Sequence, residues 1–400
     1  MARNMKDSGI EWIGEIPEGW EVLAHKYIMH KEKSICEHYS GEDVISLTLN
    51  GVVKRDLENP SGKMPTTFDG YQFVNPNDLL LCLFDIDVTP RCVGLVKDYG
   101  VTSPAYSRFK IHSGFCNAYY NYLLRFIDDE KVFVHLSKNL RSSLTESDFG
   151  AIKTIVPPKA EQQRIADYLD NRTFEIDTLL SKARSSIEEY KKLKQAVITQ
   201  AVTKGVHGER EMKDSGVEWI GEIPKEWRKT QLRHCATIKS GITLGKNYSK
   251  DTVLIERPYL RVANVQGGYV DLNDLATIEV TPDEDLKYRL HSGDVLMTEG
   301  GDRDKLGRGC VWHGEIEPCL HQNHVFAVQT NKTILLPEFL EYLTASDVGR
   351  SYFDVTAIKT TNLACTSSSK VLAFTIPLPS IEEQIEIVSF IKKRSLELNK

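Results

Sequence analysis

An internal repeat constrains the fold of this chain more than any other feature of its sequence. A sixteen-residue opening segment, residues 5–20, reads MKDSGIEWIGEIPEGW and returns at residues 212–227 with thirteen of its sixteen positions identical. An eleven-residue closing segment, residues 155–165, returns at 377–387, at an offset of 222 instead of 207 residues. A repeat of this length indicates two related structural units in one chain.

Between each opening and closing segment lies a body, and the two bodies have little sequence in common. Both bodies contain short β-branched or alternating runs that are separated by Gly, Pro, Asn and Asp, a pattern typical of strands and turns. We therefore expect mixed sheet domains with a few helices. Strands are predicted over 44–49, 79–84, 259–265, 294–298 and 324–328, and helices over 118–126 and 337–344.

Each closing segment leads into a predicted helix. An apolar seam with alternating steps of three and four residues predicts a coiled-coil helix over 160–202, which Gly205 would end. The second helix has about half that length, with its seam at Ile391, Ser395 and Leu398. Residues 160–177 carry five acidic and two basic side chains, whereas 178–204 carry six basic and two acidic ones. This charge polarity favours antiparallel pairing of the helices.

The predicted fold class is therefore α+β. Two mixed α/β domains, over 1–156 and 205–376, are separated by long helical segments over 157–204 and 377–400. We expect the helices to form an antiparallel coiled coil with pseudo-two-fold symmetry. In that pairing Ile391 would lie near Leu193, and Leu398 near Ile187.

Composition limits the classes of protein that this chain can belong to. It has 400 residues, of which 41% are apolar and 26% charged, so each body can bury a core and disorder is not expected. The longest apolar run has six residues, at 79–84, against about 20 for a membrane helix. The first residues contain no apolar stretch, so we expect a cytoplasmic protein whose eight cysteines are free thiols. A net charge of −6 argues against wrapping nucleic acid with the whole surface.

Three patterns suggest catalysis or metal binding, and each has a plainer interpretation. The segment Gly241–Asn247 resembles a phosphate loop, but it has three residues between its glycines and Asn where Ser or Thr would hold magnesium. A zinc site could use His313, Cys319, His321 and His324, and a nuclease could use Glu299, Asp302, Asp304 and Lys305. We interpret these residues as turns, core cysteines and surface histidines. Accordingly, no catalytic residue and no metal ligand are predicted.

Local basic and polar clusters are better candidates, and they suit contacts with nucleic acid. In the second body a Gly-rich loop, residues 300–309, supplies three cations beside Gly residues, and an Asn and a Gln follow it. In the first body, basic and aromatic residues interleave. The residues predicted to bind DNA are Lys54, Arg55, Lys63, Tyr106, Arg108, Lys110, Lys246, Arg303, Lys305, Arg308, Gln322 and Asn323.

The repeated segments resemble a known family. The sequence WIGEIPxxW in both opening segments and the pattern PxxxEQxxI beginning at Pro157 and Pro379 are similar to the DNA specificity subunit of type I restriction-modification systems. Phrases within the bodies, SPAY at 103–106, GDVLMT at 293–298 and HQNH at 321–324, carry the same resemblance. The resemblance covers essentially the whole chain.

This resemblance implies two target recognition domains, each of which reads one half of a split sequence in double-stranded DNA. Between them, conserved helices would dock two methyltransferase subunits and help to recruit restriction subunits. S-adenosylmethionine, ATP and magnesium would then serve the partner subunits, while this chain would hold no cofactor and catalyse nothing. The short second helix departs from the family pattern.

Two other classes stay open at this point. A single-chain DNA-modifying enzyme would show metal- or cofactor-dependent activity from the isolated chain. A scaffold that displays two modules without binding DNA would show no salt-dependent binding to a duplex, even with its partners present.

Overall fold

The protein forms two compact units, Met1–Ser181 and Lys182–Lys400. This computed structural model describes residues 3–60, 64–137, 142–301, 306–307, 309–359 and 364–398. The boundary between the units falls inside the long helix. Neither unit, within these residues, contains a helix long and apolar enough to cross a membrane.

The first unit consists mainly of short strands, followed by helices. Its strands are β1 (Met5–Asp7), β2 (Glu15–Pro17), β3 (Glu21–Ala24), β4 (Met29–Lys31), β5 (Ile35–Cys36), β6 (Val44–Thr48), β7 (Gly51–Lys54), β8 (Tyr71–Val74), β9 (Leu79–Leu81), β10 (Val93–Leu95), β11 (Gly100–Thr102), β12 (Ser107–Ile111) and β13 (Lys153–Val156). Its helices are α1 (Asn117–Asp129), α2 (Val132–Leu136), α3 (Glu146–Ala151) and the start of α4 (Lys159–Lys204), and a 3-10 turn spans His25–Tyr27.

The second unit begins and ends with the same elements as the first but differs from it in between. Its strands are β14 (Met212–Asp214), β15 (Glu222–Pro224), β16 (Arg228–Gln231), β17 (Ala236–Ser240), β18 (Ile255–Leu260), β19 (Ala276–Val280), β20 (Val295–Thr298), β21 (Gly300–Gly301), β22 (Gly309–Val311), β23 (Leu320–His321), β24 (Val325–Thr330), β25 (Ile358–Lys359), β26 (Ala364–Cys365) and β27 (Thr375–Leu378). Its helices are α5 (Pro282–Tyr288), α6 (Pro337–Ala345), α7 (Asp347–Thr356), α8 (Ser368–Ala373) and α9 (Ile381–Leu398), with 3-10 turns at Leu232–His234 and Val262–Asn264.

The two bodies share the strand order of one four-stranded sheet, although their sequences differ, whereas the neighbouring sheet has five strands in the first body and three in the second. An antiparallel sheet has the strand order β10-β9-β12-β4 in the first body and β22-β20-β24-β17 in the second. A neighbouring sheet contains one parallel pair in each body, β6 with β11 and β18 with β23. A sheet core requires apolar side chains of suitable volume on one face but not particular residues, so dissimilar sequences can build the same sheets.

In each unit, the strand that follows the opening segment pairs with the strand that leads into the closing segment. In the first unit β3 pairs with β13 just before α4, and in the second β16 pairs with β27 just before α9. The indole Nε1 of Trp20 donates a hydrogen bond to Oε2 of Glu161 in the first turn of α4, at 3.0 Å. The Gln162 side chain donates to the Pro157 carbonyl at 2.8 Å and accepts from the amide of Cys116 at 2.9 Å. The repeated residues therefore fix the start of the helix on its own body.

The long helix is confirmed, since α4 has 46 residues and Gly205 follows it with a φ of +76°. The second helix, α9, has 18 residues. Ile391 of α9 is fully buried in the same apolar cluster as Ile198 and Val202 of α4. Further toward the middle of α4, Leu193 is 48% and Ile187 is 53% exposed. Antiparallel pairing along that part of α4 therefore stays a prediction.

Two predicted strands end earlier than expected. The strand predicted over 79–84 ends at Leu81. The strand predicted over 259–265 ends at Leu260, and a 3-10 turn over Val262–Asn264 follows it. The Asn264 side chain causes this change, because its Oδ1 accepts from the Arg261 amide at 2.8 Å while its Nδ2 donates to the Asp271 carbonyl at 2.8 Å. All eight cysteines are free, as expected, and all but Cys365 are buried.

Candidate nucleic-acid interface

In the second body, three segments meet where β20 ends and β24 begins. Thr298 pairs with Val325 across these strands, the Glu299 amide donates to the His324 carbonyl at 2.9 Å, and the Thr366 amide donates to the Glu299 carbonyl at 2.7 Å. In addition, β21 at the start of the Gly-rich loop pairs with β26. Backbone hydrogen bonds thus bring together the Gly-rich loop, the turn 322–324 and the segment 364–366.

The turn 322–324 presents polar side chains on a fixed backbone. The Gln322 amide donates to the Leu260 carbonyl at 2.8 Å, and the Asn323 amide donates to the Ile242 carbonyl at 3.0 Å. Both side chains are half-buried. Next to them, His324 Nδ1 lies 2.5 Å from Glu299 Oε2. The side-chain amides of Gln322 and Asn323 can pair with adenine edges, and the Glu299 carboxylate can accept a hydrogen bond from cytosine N4.

Several of the residues that the sequence predicts to bind DNA lie outside the part of the chain that the structure describes. Arg303, Lys305 and Arg308 of the Gly-rich loop, and Lys63 of the first body, lie outside the described residues, as do Asp302 and Asp304 of the nuclease interpretation. Contact of Lys63, Arg303, Lys305 and Arg308 with DNA therefore stays a prediction from the sequence.

Lys246 is exposed and forms an ion pair with Glu284. Its Nζ lies 2.6 Å from Oε1 of Glu284 in α5. Burial would raise the pKa of Glu284, but hydrogen bonds from Lys246, Thr281 and Tyr248 outweigh it and lower that pKa to about 2. Gly241 is needed for close packing, since a Cβ there would lie 2.0 Å from the His321 carbonyl oxygen. These contacts account for the glycine and the lysine without a bound phosphate.

Two residues of the zinc interpretation, Cys319 and His321, are buried in the second body. Buried His321 has its Nδ1 2.7 Å from the Val325 carbonyl, and burial lowers its pKa. Burial also raises the pKa of the Cys319 thiol to about 12, which disfavours the thiolate that zinc requires. Among the residues that the structure describes, no group of three or more His, Cys, Asp or Glu side chains could hold a metal ion.

In the first body, most of the predicted cations have acidic neighbours. Lys54 Nζ lies 2.6 Å from Oδ2 of Asp43, and Lys110 Nζ lies 2.7 Å from Oε2 of Glu32. Arg55 is half-buried and lies beside Lys54 in a shallow groove that Asp43 also lines. These exposed pairs are weak and can exchange partners with a phosphate.

Arg108 requires a correction. Its side chain is 2% exposed, and its Nε lies 2.5 Å from Oδ2 of Asp78, which is 3% exposed. Its Nη2 also lies 3.1 Å from Glu32. Since the guanidinium is enclosed and paired, we replace the predicted DNA contact with a buried ion pair that stabilises the first body.

Tyr106 lies in the turn of the first body that corresponds to the turn 322–324 of the second. The turn 103–106 connects β11 to β12, just as 322–324 connects β23 to β24. The Gln72 side chain fixes it by donating to the carbonyls of Ser103 and Tyr106, at 3.1 and 2.7 Å. Burial raises the pKa of the half-buried Tyr106. The two turns were separate predictions from the sequence, and only the topology makes them equivalent.

The loop 82–92 of the first body is a further candidate that carries no nucleic-acid-binding pattern in its sequence. This loop joins the paired strands β9 and β10, and the Gly-rich loop lies between the paired strands β20 and β22 in the same way. It also lies beside the turn 103–106, because Leu81 pairs with Ser107. Its composition is apolar and acidic, so it contains no basic cluster that would mark it in the sequence. The equivalence of the strands is the signal that identifies it.

The amino-acid sequence of this chain is similar to those of known type I restriction enzyme specificity subunits. No model of a protein family matches the chain. The chain is 29% identical over 244 residues to the type I restriction enzyme EcoBI specificity subunit of Escherichia coli, covering 58% of this chain and 49% of the relative. It is 25% identical over 259 residues to the EcoKI specificity subunit of Escherichia coli strain K12, covering 62% of this chain and 51% of the relative. The chain thus spans about half the length of these curated relatives.

A solved structure shares the fold along nearly the whole chain. It comes from work on complex assembly and conformational transition of the type I R-M system, and it matches with a TM-score of 0.65 at 16% identity. The match covers 96% of this chain and 92% of the other. This chain therefore has the same fold as that solved structure. The resemblance drawn from the repeated segments is confirmed, and this chain is a homologue of type I restriction enzyme specificity subunits.

Proposed function

We propose that this chain is the specificity subunit of a type I restriction-modification complex and reads a bipartite, asymmetric site in double-stranded DNA. One observation carries this proposal. The two bodies share the strand order of their four-stranded sheet but differ in the sequences of the loops at one end of it, which are 82–92 and 103–106 in the first body and 298–308 and 322–324 in the second. Common scaffolds with different loops are suited to read two different half-sites.

The side chains at these loops suit base recognition. In the second body, Gln322 and Asn323 offer amides for adenine edges, and the sequence supplies Arg303, Lys305 and Arg308 for guanine edges or phosphates. The chain as a whole carries a net charge of −6, so we expect partner subunits to supply much of the phosphate contact.

The proposed partners are two methyltransferase subunits and the restriction subunits. Support comes from the middle of α4, where apolar side chains are about half exposed or more: Phe174, Ile176, Leu179, Leu180, Ile187, Tyr190 and Leu193. Apolar stripes of this length mark interaction surfaces. S-adenosylmethionine, ATP and magnesium would act in the partners, and we expect no catalytic step in this chain. Such a complex would work in the cytoplasm, where DNA is accessible to it.

Exchange of one body tests this function. Residues 217–376 would be replaced by the corresponding body of a relative, the chain would be produced with its methyltransferase subunits, and genomic methylation would be sequenced. We expect one half of the methylated site to change and the other half to stay the same. A change in both halves, or in neither, would overturn the modular proposal.

The alternatives predict different results in simpler assays. A single-chain enzyme would methylate or cleave DNA without partners when S-adenosylmethionine or magnesium is added. A scaffold that does not bind DNA would leave a duplex unbound at every salt concentration. We expect neither outcome, and instead expect sequence-specific binding by the assembled complex that weakens as salt increases.

A further inference from the structure

The loop 82–92 of the first body has the same place between paired strands and the same length as residues 298–308 of the second, which include most of the Gly-rich loop. Leu81 pairs with Val93 at the last rung of the first hairpin, and Met297 pairs with Gly309 at the last rung of the second. Eleven residues lie between the paired positions in each body, 82–92 and 298–308. Counting back from Val93 and Gly309, Arg91 corresponds in sequence to Gly307 and comes one residue before the counterpart of Arg308.

Hydrogen bonds hold the backbone of this loop in place. The Ile86 amide donates to the Ser142 carbonyl at 3.0 Å, and the Leu83 carbonyl accepts from Leu144 at 2.8 Å. The Cys92 amide donates to the buried carboxylate of Asp128 at 2.7 Å. Leu83, Ile86 and Cys92 are themselves buried in the core. The loop is thus a fixed platform.

Three side chains of this platform are not used inside the body. Phe84 is 40% exposed and Val88 is 73% exposed. Arg91 is half-buried, its Nε is enclosed, and its guanidinium has no hydrogen-bond or ion-pair partner among the residues that the structure describes. By contrast, Lys54, Arg108 and Lys110 all pair with carboxylates. A partly desolvated guanidinium without an acceptor is unfavourable, so Arg91 is suited to accept a partner from outside the body.

We infer that Arg91 reads a guanine in the first half-site and that Val88 and Phe84 form apolar contacts beside it. A guanidinium matches O6 and N7 of guanine, and apolar side chains match the methyl group of thymine. The exposed carboxylates of Asp85 and Asp87 in the same loop disfavour a close phosphate backbone and favour contact with base edges. This inference rests on the proposed function and assigns the recognition residues of the first body.

The test uses the full chain assembled with its methyltransferase subunits. Arg91→Ala and Arg91→Lys would be compared with the wild type on duplexes in which each position of either half-site is varied. The control is Lys97→Ala, an exposed lysine at the opposite end of the β9–β10 hairpin. We expect Arg91→Ala to lose about tenfold in affinity for the site and to relax one guanine position of the first half-site. Arg91→Lys should restore part of that preference, and Lys97→Ala should match the wild type.

Each outcome gives a clear decision. An unchanged first half-site in Arg91→Ala, with specific binding by the wild type intact, would overturn the inference and leave the proposed function standing. Equal weakening on all sequences together with a smaller salt slope would show a phosphate contact and would also overturn it. Recognition of the second half-site is the internal control for folding. If the wild-type complex shows no sequence preference in either half, the proposed function itself fails.

Discussion

The indole Nε1 of Trp227 donates a hydrogen bond to Oε2 of Glu383 at 2.7 Å, although the two residues are 156 positions apart. Arg210 donates to the other carboxylate oxygen at 2.7 Å. The first unit contains the same arrangement, in which Glu161 accepts from Trp20 and from Arg3. The repeated segments therefore encode one contact twice, and each copy fastens the start of a helix to the body before it.

We expect Glu383→Ala to destabilise the second unit by about 1–3 kcal/mol, because it leaves the indole N–H of buried Trp227 without an acceptor. Glu161→Ala should cost the first unit less, since Trp20 is only partly buried and water can replace the carboxylate. Hydrogen exchange resolved by segment would measure both effects. Glu397→Ala, which removes only an exposed pair with Arg394, is the control. Equal losses in the two units would contradict this explanation.

Arg108→Ala should destabilise the first body by about 3–5 kcal/mol, because the Asp78 carboxylate would stay buried without its cation. Lys110→Ala breaks an exposed pair with Glu32 and should cost less than about 1 kcal/mol. Urea unfolding of each variant gives these free energies. A double variant that also carries Asp78→Ala should recover part of the loss, since it removes the unpaired charge. If Arg108→Ala unfolds like the wild type but fails to bind DNA, our correction is wrong.

Gln322→Ala and Asn323→Ala should each relax one position of the second half-site, with a loss of about 1–3 kcal/mol in discrimination. The reason is that backbone hydrogen bonds hold both residues in a turn beside the Gly-rich loop. Binding to duplexes with single base changes would measure the loss. Asn273→Ala, at an exposed position before β19, should keep the wild-type preference. Wild-type preference in both turn variants would remove the turn from the interface.

His25 should make the first body less stable in acid. Burial lowers its pKa from 6.5 to about 4, so between these values the unfolded chain takes up a proton that the folded chain excludes. Its contribution is fully present above pH 6.5, and as the pH falls to about 4 roughly 3 kcal/mol is lost. The second unit has buried Leu232 at the equivalent position, which makes His25→Leu the matched variant. As the pH falls from 6.5 to about 4, the unfolding free energy of the wild type should fall by roughly 3 kcal/mol relative to that of His25→Leu, and a constant difference between the two proteins would refute the prediction.

The local sequence was sufficient for features that depend on short-range patterns. The two copies of the opening and closing segments gave the two related units, and the apolar seam gave α4 almost to its ends. The strands β9 (Leu79–Leu81) and β20 (Val295–Thr298) also lie within predicted strands. Helix periodicity, strand alternation and repeats are properties of neighbouring residues, so they can be read before any folding is considered.

Only the tertiary structure decided the roles of the individual charged side chains. Arg108 stands in an aromatic and basic stretch and was predicted to bind DNA, whereas Arg91 stands in an apolar and acidic loop and attracted no prediction. The fold reverses their roles by bringing Asp78 against Arg108 and leaving Arg91 without a partner among the described residues. Whether a guanidinium is free depends on carboxylates that are distant in sequence and close in space, and on how much water remains around it. Neither quantity is a property of the local sequence, so the assignment required the packed sheets of the first body.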